Sequence, residues 1–94
     1  MPRVTPCFVV TASYVEGAAE RRAPYRDEHL ERVEKLLREG ALLLGGAFDD
    51  MSASLLVFGV QSEEAVVAVI ESDVYWREGI WTDYTIRKLN RVTL

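Results

Sequence analysis

The sequence predicts an α+β domain in which one antiparallel sheet of four strands carries two helices on one face. Three observations lead to this prediction. Four segments are rich in β-branched and aromatic residues, two segments carry apolar residues at helical spacing, and the two kinds follow one another as β-α-β-β-α-β. The chain of 94 residues suits a single domain, residues 1–94, because it is too short for two independent cores.

The first strand and the first helix have clear boundary residues. The segment Thr5–Tyr14, TPCFVVTASY, has the composition of a buried strand. The helix is predicted from Pro24 to Glu39, because proline fits a first helical turn and Gly40 is a natural C-terminal cap. The stretch between them, VEGAAERRAP, is expected to be a connection.

The second and third strands are predicted to form a hairpin. They are Ala41–Phe48 and Ser54–Val60, joined by a turn within the sequence DDMSA. Gly45 and Gly46 lie side by side in the second strand. Such a pair indicates a bulge or a place where another group approaches the backbone closely.

The second helix begins at a recognisable N-cap. Ser62 precedes two glutamates, and the helix is expected to extend to Ser72. Residues 73–79, DVYWREG, are expected to be a short irregular piece before the last strand, Ile80–Val92. Together these elements make the split βαβ arrangement that is called ferredoxin-like.

The sheet face opposite the helices is expected to be covered. In the third strand Leu55 and Val57 lie on one face, while Leu56 and Phe58 lie on the other. A sheet with one face in water alternates apolar and polar residues more cleanly than this. We therefore expect the second face to pack against the same face of another copy, which makes the chain a homodimer.

Composition disfavours several classes of function. The formal net charge is −4 and there is no basic block, so neither nucleic acid nor an anionic membrane is an expected partner. No apolar run is long enough to cross a bilayer, and a cytoplasmic location is the default expectation. The single cysteine, Cys7, is expected to be a packed, inert thiol. With one histidine, no metal-ligand spacing and no phosphate-binding glycine motif, neither a metal nor a cofactor is expected.

The one histidine of the chain is predicted to face inward. With Leu30 at zero on a helical wheel of about 100° per residue, the apolar stripe that includes Val33 and Leu37 is centred near roughly 310°. His29 falls at about 260° and Arg26 at about 320°, both at the N-terminal end of this stripe. Polar groups there need acceptors or a water-filled cavity. Alternatively, Arg26 keeps its stem on apolar surface and its head in water.

The second helix places a carboxylate on the same side. With Val66 at zero, Asp73 falls near about 340° if the helix extends so far. A pocket that holds His29 and Asp73 is therefore expected. The alternatives are a structural or half-exposed His29, and an Asp73 that simply caps the short turn after it.

Several residues in fixed order resemble the YCII-related (YciI-like) family over nearly the whole chain. The pattern is an arginine, then RxxHL, then GxLLxxG, then D-x-Y before a glycine. The matching residues are Arg21, Arg26, His29, Leu30, Gly40, Gly46, Asp73, Tyr75 and Gly79. The family commonly has proline where this chain has Val74 and Ala47, so the hold on Asp73 and the pocket wall near Gly46 are expected to differ.

The resemblance implies a ferredoxin-like subunit that dimerises through its sheet, as in dimeric α/β barrels. It also implies a histidine–aspartate pair, which falls on His29 and Asp73 and agrees with the wheel. One reaction that it permits is the removal of a halide from a hydroxylated ring.

The expected pocket has further walls besides this pair. Arg26, together with Arg21, is expected to hold an anionic or phenolate oxygen. Tyr75 and Trp76 are expected to flank a small organic ligand, with Gly46 in the pocket wall.

Three hypotheses about function follow. The first is a lyase- or isomerase-like enzyme in which His29 is a general acid–base group oriented by Asp73. The second is a module that binds or senses a small ligand in the same pocket without chemistry. The third is a purely structural dimerisation domain, which would leave His29 and Asp73 far apart with no cavity between them.

Overall fold

A computed structural model, which describes residues 1–59 and 61–94, contains a four-stranded antiparallel sheet in the order β2-β3-β1-β4. The strands are β1 Arg3–Tyr14, β2 Leu42–Ala47, β3 Ala53–Phe58 and β4 Trp81–Thr93. The helices are α1 Ala18–Arg21, α2 Arg26–Arg38, α3 Glu63–Glu71 and α4 Val74–Arg77. This order of elements and strands confirms the ferredoxin-like fold.

The connection after β1 and the stretch that was expected to be irregular before β4 each contain a one-turn helix. Gly17 has a φ of 74°, which turns the chain after β1, and α1 follows at once. Pro24 lies in a 3₁₀ turn, Ala23–Tyr25, so α2 begins at Arg26 rather than at Pro24. The second stretch contains α4, whose first turn is capped by the side chain of Asp73.

The predicted caps of the two long helices are present. The Ser62 hydroxyl accepts a hydrogen bond of 3.1 Å from the backbone N–H of Ala65 at the start of α3. Gly40 follows α2 with a φ of 77°, the left-handed conformation that glycine adopts without strain. The predicted end of the third strand, Val60, lies outside the described residues.

The bulge in β2 is not at the glycine pair. The register between β2 and β3 shifts between Leu42 and Leu44. Gly45 is instead a point of close approach, because a Cβ there would lie 3.2 Å from Cδ2 of Leu42. Gly46 has no such neighbour, since a Cβ there would meet nothing within 4 Å.

The core lies between the sheet and the two long helices. Val10 and Phe58 from the sheet meet Val66 and Ile70 from α3, and all four are buried. Burial of each such side chain contributes about 1.5–3 kcal/mol to folding. Tyr75 extends this cluster toward α2, so one side of the core ends in polar groups.

The other face of the sheet is apolar along β2, β3 and part of β1, as predicted, whereas β4 places Arg87 opposite Val9 on this face. Val57 lies opposite Val9 on β1 and Leu44 on β2, so these three side chains share that face. Leu44 is 55% exposed in the single chain, and Val57 and Leu55 are half-buried. Cys7 also lies on this face and is buried, with a free thiol.

Helix α2 is rotated relative to the predicted wheel. Leu30 and Leu37 are 44% and 43% exposed, whereas His29 is 8% exposed. The inward direction is thus nearer the angle of His29, about 260°, than the roughly 310° of the apolar stripe. The rotation brings two polar side chains of α2 to partners at the end of α3. His29 contacts Asp73 and Arg32 donates to the backbone oxygen of Val69, so their side of α2 faces inward.

Candidate active site

A cavity of about 300 Å³ lies between α2, α4 and the helix-covered face of the sheet. A cavity of this volume is large enough to hold a small aromatic or oxygenated molecule. Aromatic and cationic side chains form much of its wall, including Tyr14, Arg22, Arg26, His29, Tyr75 and Trp81.

His29 and Asp73 are in direct contact at the edge of this cavity. Nδ1 of His29 lies 2.9 Å from Oδ1 and 3.1 Å from Oδ2 of Asp73. Both residues are buried, with Asp73 4% exposed. The inward direction predicted for His29 is therefore confirmed. The large separation and the absence of a cavity, which the purely structural hypothesis predicts, are not observed.

Asp73 fills both roles that the sequence left open. Its Oδ1 accepts a 2.9 Å hydrogen bond from the backbone N–H of Tyr75, which makes it the N-cap of α4. Its Oδ2 also lies 3.4 Å from Nη1 of Arg32. A carboxyl that faces several donors acts as an acceptor, so His29 donates from Nδ1–H. In the neutral ring, Nε2 then carries the lone pair.

Two aromatic rings fix the plane of the imidazole. The ring of Tyr75 is stacked on His29 at 3.8 Å between centroids and an angle of 10°. Trp81 meets the imidazole edge-on at 5.3 Å. Among the described residues Nε2 has no hydrogen-bond partner, yet it is not among the fully buried unpaired atoms. His29 lines the cavity, so this nitrogen is the ring atom available to a bound molecule.

Arg32 links α2 to the end of α3 and to Asp73. This role was not predicted from the sequence. Nη1 of Arg32 donates to the backbone oxygen of Val69 at 2.8 Å, and its Nη2 donates to Oγ of Ser72 at 2.6 Å. The guanidinium thus binds the C-terminal end of α3 and Asp73 together. A signal was present, because Arg32 lies three residues after His29 and so on the same side of the helix.

A second polar cluster lies on the sheet side of the cavity. Nε1 of Trp81 is 3.1 Å from Oγ of Ser54, which is 2.8 Å from the hydroxyl of Tyr14. Nη1 of Arg22 lies 3.4 Å from the same hydroxyl. Sequence reasoning missed this cluster too. Strand alternation carried part of the signal, because Ser54 shares the face of Leu56 and is a polar residue pointing inward.

The structure separates the predicted binding residues into two groups. Arg26, Gly46 and Tyr75 line the cavity. Arg21 does not, and its neighbour Arg22 lies on the wall instead, because the turn of α1 directs the two side chains differently. Trp76 packs edge-on against Tyr84 at 5.1 Å, away from the cavity, so its predicted place beside a ligand is wrong.

The two proline positions of the family differ in their surroundings. Ala47 lines the cavity, as expected from its position beside Gly46. Val74 is buried in the core at the start of α4. Asp73 is nevertheless held by hydrogen bonds on both oxygens, so its orientation in the structure does not depend on a proline at the next residue.

The phenol of Tyr75 is a neutral group in this site. Burial raises the pKa of its hydroxyl, and the nearby Tyr14 adds to this, while Arg22 and Arg26 oppose it. The hydroxyl is therefore protonated at neutral pH. The formal positive charges at the cavity wall come from the two arginines.

Across residues 1–59 and 61–94, no three His, Cys, Asp or Glu side chains are grouped so that they could hold a metal ion. No helix in the same part of the chain is both long and apolar enough to span a bilayer.

The sheet order and the helix positions define a ferredoxin-like α+β subunit with a histidine–aspartate contact beside a cavity. The chain belongs to the YCII-related domain family, which matches residues 7–90. The resemblance to this family, which the residues from Arg21 to Gly79 indicate, is therefore confirmed. No curated protein matches the chain closely enough to count as a relative.

One solved structure is similar over almost the whole fold. It is 5-chloro-2-hydroxyhydroquinone dehydrochlorinase from Burkholderia phenoliruptrix AC1100 in complex with 2,5-dihydroxybenzoquinone. The TM-score is 0.77 at 20% sequence identity, and the alignment covers 90% of this chain and 94% of that one. At this identity the similarity concerns the fold.

The double role of Asp73 predicts different costs for two substitutions. Asp73→Ala removes the cap of α4 and leaves the buried Nδ1–H of His29 unpaired, so we expect a loss of about 2–4 kcal/mol in unfolding free energy. Asp73→Asn keeps a good cap and one acceptor, so we expect about 1–2 kcal/mol. Urea denaturation measures both. Ser62→Ala, which removes only a cap, is the control at about 1 kcal/mol, and equal losses in all three variants would contradict the double role.

The raised pKa of Tyr75 predicts a loss of stability at high pH. The unfolded chain ionises this phenol near its usual pKa of about 10, before the folded chain does. The contribution to stability is therefore complete below about pH 10 and is lost as the pH rises through the folded-state pKa. In Tyr75→Phe this part of the alkaline decline should disappear. Unfolding free energies measured between pH 8 and 12 check this, and an unchanged slope in the variant would refute it.

Proposed function

We propose that this protein is a small-molecule enzyme of the lyase or isomerase type, in which His29 and Asp73 perform general acid–base chemistry. The observation that carries the proposal is the contact of Nδ1 with both oxygens of Asp73, with His29 in the wall of the cavity. A base needs a lone pair within reach of the substrate, and an orienting carboxylate supplies the correct tautomer.

The reaction begins when Nε2 of His29 takes a proton from the bound substrate. The imidazolium that forms is stabilised by the carboxylate of Asp73, which keeps its hydrogen bond from Nδ1–H. The electron pair of the broken bond remains in the substrate. In a lyase reaction it expels a leaving group, and in an isomerase reaction it accepts the proton again at another atom. Positioned acid–base groups of this kind contribute typically about 10²–10⁴ to the rate.

The walls of the cavity favour a small, flat, oxygenated substrate. Tyr75 and Trp81 offer aromatic surface, while Arg22 and Arg26 offer positive charge for an anionic oxygen. The solved structure with the same fold is named for the removal of chloride from a hydroxylated ring and holds a dihydroxyquinone. That chemistry fits a histidine base with cationic neighbours, and we carry it to this chain as a substrate class.

A non-catalytic module is the second candidate. The same cavity serves a protein that binds or senses a small ligand, and the aromatic wall alone supports this. The two candidates differ in one measurable respect, because a sensor returns its ligand unchanged.

We also propose that the protein is a homodimer formed through the open face of the sheet. That face carries exposed or half-buried Leu44, Leu55 and Val57. An apolar face of this kind that stayed in water would be an unusually large exposed patch, and a second copy of the chain is the simplest cover for it. The cytoplasmic location and the single-domain organisation remain predictions of the sequence.

Substitution of the base should abolish turnover without unfolding the protein. With 5-chloro-2-hydroxyhydroquinone and a panel of enolisable carbonyl compounds, we expect chloride release or solvent-deuterium exchange that falls about 10²–10⁴-fold in His29→Gln. Chloride analysis and proton NMR in D₂O measure the two outcomes. Glu28→Gln, an exposed change one residue earlier, is the control. Undiminished turnover in His29→Gln refutes the catalytic role, and tight binding of an unchanged ligand favours the sensor.

A charge on the open face should separate the subunits. Val57→Arg places a guanidinium between the side chains of Val9 and Leu44, where a dimer interface would bury it without a partner. We expect the wild-type protein to have the mass of two chains and the variant the mass of one, by light scattering during size-exclusion chromatography. Leu37→Arg, on the outer side of α2, should remain dimeric. A monomeric wild-type protein would contradict the proposal.

A further inference from the structure

The hydroxyl of Tyr14 is the end of a directed chain of hydrogen-bond donors. An indole N–H only donates, so Oγ of Ser54 accepts from Trp81 at 3.1 Å. The same oxygen lies 2.8 Å from the Tyr14 hydroxyl. One of the two hydroxyl groups must donate to the other.

The burial of Ser54 decides the direction. Its side chain is 4% exposed, and among the described residues the Tyr14 oxygen is the acceptor within reach of its proton. If Tyr14 donated to Ser54, the Ser54 proton would have no acceptor among the described residues, at a cost of up to about 1–3 kcal/mol. The favoured chain therefore runs from Trp81 through Ser54 to the Tyr14 oxygen.

The Tyr14 proton is left for a group in the cavity. Its oxygen already accepts from Ser54 and lies 3.4 Å from Nη1 of Arg22, a group that only donates. Donors on both sides withdraw charge from this oxygen and strengthen its own O–H as a donor. Tyr14 lines the same cavity as His29. The ring of Tyr75 is next to both, with its centroid 6.4 Å from that of Tyr14 and 3.8 Å from that of His29.

We propose that the Tyr14 hydroxyl, polarised by Ser54 and Arg22, donates a hydrogen bond to an oxyanion of the substrate. The inference rests on the proposed function and deepens it, because it assigns the group of this chain that meets the charged oxygen of the substrate. The substrate is an enolisable carbonyl compound or an acidic phenol or enol, with its charged oxygen at Tyr14 and the proton to be moved at His29. A preorganised donor aimed at developing charge is a large contribution in such reactions.

The proton and the electrons balance without any further reactant. Nε2 of His29 takes the proton from carbon, the C–H electron pair forms the new C=C bond, and the former carbonyl pair moves onto oxygen as the enolate. Tyr14 keeps its proton and stabilises that oxygen by a hydrogen bond. The reverse flow returns the proton to the same or another carbon, or expels a leaving group.

The test uses 4-nitrophenol, whose anion places charge on one oxygen, and 4-nitroanisole, which has no acidic proton. The wild-type protein should bind the anion more tightly than the ether, as measured by calorimetry above the pKa of the phenol. In Tyr14→Phe the affinity for the anion should fall roughly 10- to 100-fold, which is the worth of one hydrogen bond to a charged group. The affinity for the ether should change less than about 3-fold.

Two further variants make the result specific. Tyr84→Phe, a matched loss of a hydroxyl outside the cavity, should bind both probes as the wild-type protein does. Arg22→Met leaves the Ser54–Tyr14 hydrogen bond in place and should weaken binding of the anion roughly 3- to 10-fold. It therefore tests the proposal even if Tyr14→Phe is poorly folded. A wild-type protein with no preference for the anion, or a folded Tyr14→Phe variant whose affinities for the two probes fall equally, would overturn it.

His29→Gln distinguishes this inference from the proposed function. It should lose turnover but retain the preference for the anion, because Tyr14 is intact. Loss of turnover in His29→Gln with an anion preference that is unaffected by Tyr14→Phe overturns the role of Tyr14 alone. Full turnover in His29→Gln, with the preference lost in Tyr14→Phe, overturns the catalytic histidine and leaves the oxyanion site standing.

Discussion

The carboxylate of Asp73 is the group on which the site depends. It caps α4, accepts from His29 on α2, and lies beside Arg32, so one buried charge joins elements that are far apart in the chain. A buried carboxylate without such donors would be strongly unfavourable. The loop after α3 and the rotation of α2 are therefore constrained together. This explains why His29 is buried while Leu30, an apolar residue, is partly exposed.

The cavity is chemically two-sided as a result. The helix side carries His29, whose Nδ1 meets Asp73, and the sheet side carries the hydroxyl of Tyr14, which meets Ser54. In the function that we propose, the first is the base and the second is the hydrogen-bond donor. Each side is oriented by buried hydrogen bonds rather than by exposed side chains, which move more freely. The guanidinium groups of Arg22 and Arg26 add positive charge to the cavity wall. Such an arrangement suits a substrate on which charge moves from a proton site to an oxygen.

Much of this could be read from the residues. Strand and helix patterns predicted the order of elements, and the caps at Ser62 and Gly40 are where expected. The inward His29 followed from its position on the wheel. The stretches around α1 and α4 were misjudged, because helices of one turn have too little periodicity to detect. The choice between Arg21 and Arg22 depended on the path of α1, which the pattern did not define.

The sequence by itself determined the fold, the apolar residues on both faces of β3 and the inward direction of His29, because periodicity and capping depend on neighbouring residues. Only the tertiary structure decided which groups meet. The contact of His29 with Asp73 spans 44 positions and that of Ser54 with Tyr14 spans 40. The directed donor chain and the rotation of α2 follow from such contacts. They arise because buried polar groups must find partners wherever the packed chain brings them.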